Sequence, residues 1–251
     1  MAEHQQSDDS ATLLVDYYRT VADKPVGKNQ YQGLRIHALA GLHDQVGALA
    51  RKYFQAQGRV VDLAAGSGAM CLRLVDLGFQ PVGVDYVSEN FKAAGIAFQQ
   101  ADLNSDFAPL LPQALDAIVA AEIIEHLENP RHFARQCFRA LRPGGRMILT
   151  TPNIQSPGAL ASFVRSGRFL WFQDEDYACD GHISPLSHWQ IRRSFEEAGF
   201  RFLMTGSHGE GSSQLTGSPR LALLGRLIGR LSGLDKSQQG EVFMAVLERP
   251  G

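Results

Sequence analysis

Short apolar runs and longer amphipathic ones alternate along most of this chain. The apolar runs lie at 59–63, 80–85, 96–100, 115–121 and 146–151, and each reads as a strand. Between them apolar residues recur at helical spacing. Met70, Leu72, Leu74, Val75 and Leu77 run up to Gly78, and a short helical piece follows at 88–95. Phe133, Cys137, Phe138 and Leu141 follow Asn129-Pro130, an N-cap with proline at the first helical position. Ser187-His188-Trp189-Gln190 is a capping box opening a helix that stops at Gly199, and strands at 200–207 and 242–247 complete the pattern. Strands alternating with helices predict an α/β fold. The run 115–121, apolar almost throughout, is the central parallel strand.

The first 56 residues read differently. Residues 1–10 are polar and read as disordered. From 11 to 56 the pattern is helical, with a break near 23–27. The second piece, 31–55, carries Leu34, Ala38, Leu42, Val46, Leu49 and Phe54 at spacings of three to five. This predicts an N-terminal helical cap (1–56) over an α/β domain (57–251). Tyr31 and Arg35 on the cap are candidates to face a ligand carboxylate, the arginine because its fork matches that group.

Composition narrows the classes. The chain has 251 residues and a formal net charge of −2, which gives no electrostatic footprint for nucleic acid. Three cysteines (Cys71, Cys137, Cys179) lack Cys-x-x-Cys spacing, which suits a reducing compartment better than a disulfide framework. The first residues have neither the basic nor the apolar region of a signal peptide, and no apolar run approaches the roughly 20 residues of a spanning helix. The expectation is a cytoplasmic protein.

The densest chemistry lies in Arg59-Val60-Val61-Asp62-Leu63-Ala64-Ala65-Gly66-Ser67-Gly68. A strand entering a glycine turn at a helix N-terminus lets backbone N–H groups approach a ligand. A dinucleotide fingerprint would need a third glycine where Cys71 stands, so that motif is incomplete. The spacing Asp-x-x-x-Gly-x-Gly resembles motif I of the class I S-adenosylmethionine-dependent methyltransferases, with Ala64 and Ala65 where that family more often has Gly and Cys. Three further segments resemble the same family. They are Val84-Asp85 after the second strand, Ala101-Asp102-Leu103 after the third, and Leu141-Arg142-Pro143-Gly144-Gly145-Arg146 with Thr150-Thr151-Pro152-Asn153 around the fifth.

The resemblance implies a Rossmann-like three-layer α/β/α sandwich around a seven-stranded, mostly parallel sheet with one antiparallel strand. It implies S-adenosylmethionine as cofactor, held by Asp62, Leu63, Ala64, Gly66 and Gly68. Asp85, with Tyr86 beside it, would accept hydrogen bonds from the ribose diol, for which a two-oxygen carboxylate is suited. Asp102 and Leu103 would meet the adenine, Ala121 would line the pocket, and Arg35 would take the carboxylate end.

A second constellation follows the fourth strand: Glu122-Ile123-Ile124-Glu125-His126-Leu127. On a helical turn, Glu122, Glu125 and His126 share one face at i, i+3 and i+4. That is a donor set for a divalent cation such as Mg²⁺. The segment resembles the Glu-x-x-Glu-His of ubiquinone-biosynthesis O-methyltransferases and of the plant small-RNA 2′-O-methyltransferase. The latter suggests His182 as a further ligand. Alternatively His126 or His182, with Glu122 beside them, serves as general base without a metal. His4, His37 and His43 read as merely exposed.

Two insertions stand outside the family pattern, at about 154–182 and 208–240. The first holds Phe163, Phe169, Leu170, Trp171, Phe172 and Tyr177, either a lid over an aromatic acceptor or a satellite core cluster. The second carries a basic amphipathic pattern at 219–234: Leu221, Leu224, Leu227, Ile228 and Leu231 with Arg220, Arg226 and Arg230. It fits a packed helix, a subunit contact or peripheral contact with an anionic membrane. The expected activity is O-methylation of a small aromatic or quinol-like molecule. RNA-terminal 2′-O-methylation and a non-catalytic S-adenosylmethionine-binding role are the alternatives.

Overall fold

A computed structural model of the chain describes residues 27–210, 218–233 and 235–251. The expectations for residues 1–26, including His4, lie outside the described residues. Two short strands, β1 (Gln30–Tyr31) and β2 (Leu34–Arg35), form an antiparallel hairpin ahead of helix α1 (Leu42–Tyr53). The helix predicted from residue 31 therefore begins eleven residues later. Gln32 and Gly33 take positive φ (48° and 82°), which turns the chain back on itself before any helix can start.

From β3 (Arg59–Leu63) onward the predicted alternation holds: α2 (Ala69–Asp76), β4 (Gln80–Asp85), β5 (Ala97–Gln100), β6 (Leu115–Ala121), α3 (Pro130–Ala140) and β7 (Leu141–Pro152). Then come α4 (Pro157–Ser166), α5 (His188–Ala198), β8 (Arg201–His208), α6 (Pro219–Leu231) and β9 (Val242–Glu248). The piece expected as a helix at 88–95 is only a 3₁₀ turn, Ser88–Asn90. Both predicted caps form. The Asn129 side chain accepts from His132 N at 2.9 Å, and Ser187 and Gln190 complete a reciprocal box.

The strands make one seven-stranded sheet in the order β5-β4-β3-β6-β7-β9-β8, with β9 antiparallel to both neighbours and the rest parallel. The sheet is buried on both faces. Val61, Leu63, Ile118 and Met147 pack with Phe133 and Phe195 on one side, while Val60, Val119 and Ile148 pack with Leu42, Val46 and Leu74 on the other. Chain order reverses between β3 and β6. In open α/β sheets the crevice outside the strands' carboxyl ends at such a switch point is where ligands bind.

Candidate active site

The turn after β3 is built for close approach. Ala64, Gly66 and Gly68 all have positive φ (60°, 52° and 85°). A Cβ on Gly66 would meet nothing within 4 Å, so the turn borders open space there. Gly68 has a different reason: a Cβ would lie 2.5 Å from that of Ala93 and 2.9 Å from the Phe91 ring. Asp85, at the end of β4, accepts from Gly66 N (2.8 Å, Oδ2) and Val87 N (3.0 Å, Oδ1). Each of its oxygens keeps a second lone pair. Burial pushes its pKa up against those hydrogen bonds. Tyr86 is exposed and Leu103 buried. Asp102 closes its own turn, accepting from Asn104 N (2.9 Å) and Ser105 Oγ (3.0 Å).

Asp62 points elsewhere. It shares a face of β3 with Val60, under α2, and is 2% exposed. Its partner is Cys71, whose thiol donates to Oδ2 at 3.3 Å. Burial, opposed by that hydrogen bond and aided by the charge of Asp85, pushes its pKa up to about 7. The hairpin reaches the same turn: Ser67 Oγ donates to Arg35 O at 2.6 Å, which sets Arg35 above it. Tyr31 is turned to α2. Its hydroxyl donates to Asp76 and the Arg73 guanidinium lies over its ring.

Beyond β6 the expected helical face is not a helix. Glu122 sits at φ 54° and only Ile124–His126 makes a 3₁₀ turn. The predicted residues converge all the same. Glu122, Glu125, His126 and His182 line one cavity of about 350 Å³, with His37, Trp171 and Asp180 among the other wall residues. Thr150 Oγ1 donates to Glu122 Oε1 (2.8 Å), and Thr151 Oγ1 to Glu125 Oε2 (2.9 Å). Glu125 Oε1 is buried and has no hydrogen-bond partner. Ile183 N and Ser184 N both donate to Glu125 O (3.0 and 2.9 Å), which brings the His182 segment against the 3₁₀ turn.

Glu125, His126 and His182 each offer a ligand atom, and these atoms lie within 4.8 Å of one another. Desolvation raises the pKa of Glu125 well above the usual carboxylate range, helped by the charge of Glu122, and raises that of Glu122 to about 7. Desolvation, with His182 adding to it, lowers His126 to about 3. A buried unpaired carboxyl oxygen beside two imidazoles is the environment a cation would neutralise.

Sequence reasoning missed His37 and Asp180, and had Trp171 only among the aromatics of the first insertion. His37 read as a surface residue, and it is exposed, yet it also lines the cavity; His43, taken the same way, is half-buried, with its pKa lowered to about 4 mainly by desolvation. The first insertion divides between the surface, where Phe163 is exposed, and the cavity. Phe163 and Phe169 stack on each other (4.5 Å between centroids), while Trp171 closes the cavity.

A glycine turn after the first strand of the sheet, acids after the next two strands and a cavity at the switch point that gathers carboxyl and imidazole side chains define a nucleotide-cofactor enzyme of the Rossmann-like type. A family model described as a methyltransferase domain matches residues 31–204. The chain belongs to that family, within the class I S-adenosylmethionine-dependent methyltransferases. A ubiquinone biosynthesis O-methyltransferase of Maricaulis maris is 30% identical over 150 residues, covering 56% of this chain and 58% of the relative. The match thus spans a little over half the length of that curated relative. An S-adenosylmethionine-dependent methyltransferase from Archaeoglobus fulgidus has the same fold (TM-score 0.58, 18% identity, 82% of this chain and 94% of that one). So does the cyclase SpnF (TM-score 0.57, 15% identity, 95% and 93%), so the fold alone does not decide the reaction.

Proposed function

We propose that this protein transfers a methyl group from S-adenosylmethionine to a hydroxyl of a small aromatic or quinol-like molecule. The observation that carries the reading is the cavity at the strand ends where Glu122, Glu125, His126 and His182 meet. On the cofactor side Asp85, with Tyr86 beside it, holds the ribose diol. Asp102 and Leu103 border the adenine, and Arg35 takes the carboxylate. Leu63, Ala64, Gly66 and Ala121 supply the floor at the strand ends. Asp62 and Gly68 shape the turn from behind. Bound S-adenosylmethionine supplies an electrophilic methyl on a sulfonium, whose departure needs no acid.

What the chain must supply is deprotonation and aim. His182 Nδ1 lies 2.6 Å from Trp171 O. A carbonyl only accepts, so Nδ1 carries the proton and Nε2 presents a lone pair. That makes His182 the general base for an acceptor hydroxyl. His126, held neutral, is a weaker base. In the alternative arrangement the Nε2 lone pair of His182 goes to a divalent cation held by Glu125, His126 and His182, with Glu122 adjacent, and the cation would lower the pKa of a bound hydroxyl in place of the imidazole base. The orphaned Glu125 Oε1 fits such a cation.

The test is transfer of labelled methyl into a catechol-type acceptor. His182→Ala is expected to lower kcat by about 10²–10⁴-fold while leaving affinity for S-adenosylhomocysteine unchanged. Excess EDTA would abolish transfer and spare cofactor binding if the cation activates the hydroxyl, and would leave transfer intact if His182 does. Full turnover in EDTA would remove the cation from the account, and full turnover by His182→Ala would remove the base. Label entering nucleic acid instead would move the acceptor to RNA.

A further inference from the structure

Helix α6 lies in the second insertion and is only half used by the fold. Gly225 is its one buried residue, and a Cβ on Gly229 would meet the Pro157 ring of α4 at 3.1 Å, so small residues let the two helices pack closely. The opposite face carries leucines at i, i+4 and i+8: Leu223, Leu227 and Leu231 are 67%, 52% and 76% exposed. Arg220, Arg226 and Arg230 flank them, all exposed, and α6 contains no acidic residue. The neighbouring α4 exposes Phe163, Val164 and Arg165.

We infer that this face docks on an anionic lipid surface. Leucines that dip below headgroups, between arginines that meet the phosphates, are what such a surface recognises. A second copy of the chain fits less well, because a two-fold contact would set these arginines against each other. Nucleic acid would satisfy the arginines and leave the leucine stripe in water. The chain connects this face to the acceptor cavity, which Pro152, five residues before α4, and Val242, eleven residues after α6, both line. This goes beyond the methyl-transfer reading and does not depend on it.

The experiment is flotation of the full-length chain with vesicles of equimolar phosphatidylglycerol and phosphatidylcholine, and with phosphatidylcholine alone. The expected result is co-migration with the anionic vesicles only, reversed by high salt. An anionic surface is worth roughly fivefold per arginine, so the triple variant R220Q/R226Q/R230Q should lose about a hundredfold in partitioning. L223S/L227S/L231S should lose at least about tenfold with its thermal midpoint and S-adenosylhomocysteine affinity unchanged. The inference is overturned if the parent stays unbound, if both variants bind like the parent, or if neutral vesicles bind equally well. It is also overturned if the parent is a dimer that the leucine variant dissolves.

Discussion

Asp62 shows how a residue in a recognised motif acquires its role from packing. The motif singled it out as a cofactor contact. Strand alternation then places its carboxyl beneath α2, where Cys71 is the partner. Cys71 itself was legible only as the missing third glycine, since nothing in spacing reveals which side chain a helix lays over a strand. The folded-state pKa of Asp62, about 7, lies above its ordinary 3.8. Its contribution to stability is therefore fully present below about pH 4 and lost as pH rises through about 7. Asp62→Asn should flatten that slope: between pH 5 and pH 8 the parent's Tm should fall more than the variant's, by thermal unfolding followed at both pH values. Equal slopes would mean that Asp62 is ionised in the folded protein.

Elements were legible where local chemistry dictates them. Asn129-Pro130 and Ser187 to Gln190 cap their helices as the sequence requires, because capping needs only residues within one turn. Ser187→Ala should cost about 1 kcal/mol in denaturant unfolding. Gly68→Ala should cost more, about 1–3 kcal/mol for overpacking against Ala93 and Phe91 and further strain at φ 85°. A Gly68→Ala protein as stable as its parent would contradict the packing described for that turn. The hairpin at residues 30–35 was not legible: Leu34 and Ala38 fit a helical period, and the turn at Gln32-Gly33 overrides it. The 3₁₀ turn at residues 124–126 was misread for the same reason. A three-residue turn and the start of a helix look alike in sequence, and the left-handed Glu122 carries no glycine to announce it.

At the scale of the molecule, the site is assembled from segments far apart in the chain. His37 comes from the segment after the hairpin, Glu122 to His126 from the end of β6, and Trp171, Asp180 and His182 from the first insertion. The β6 cluster was legible because its residues are adjacent, and His182 because the resemblance named it. Asp180 and His37 were not, because their approach depends on how the insertion folds back over the sheet. Along the cofactor side, by contrast, each expected residue except Arg35, which the hairpin carries, lies at or just after the end of a strand whose place in the sheet the alternation already predicts. The central claim is that these strand ends hold S-adenosylmethionine with the acid of β4 on its ribose. Calorimetric titration with S-adenosylhomocysteine tests it most directly, comparing the parent, Asp85→Ala and His182→Ala, with NAD as the competing ligand. Losing a charge-assisted bond should weaken binding on the order of tenfold or more in Asp85→Ala, leave His182→Ala at parental affinity, and show no binding of NAD. Parental affinity in Asp85→Ala, or a preference for NAD, would contradict the account.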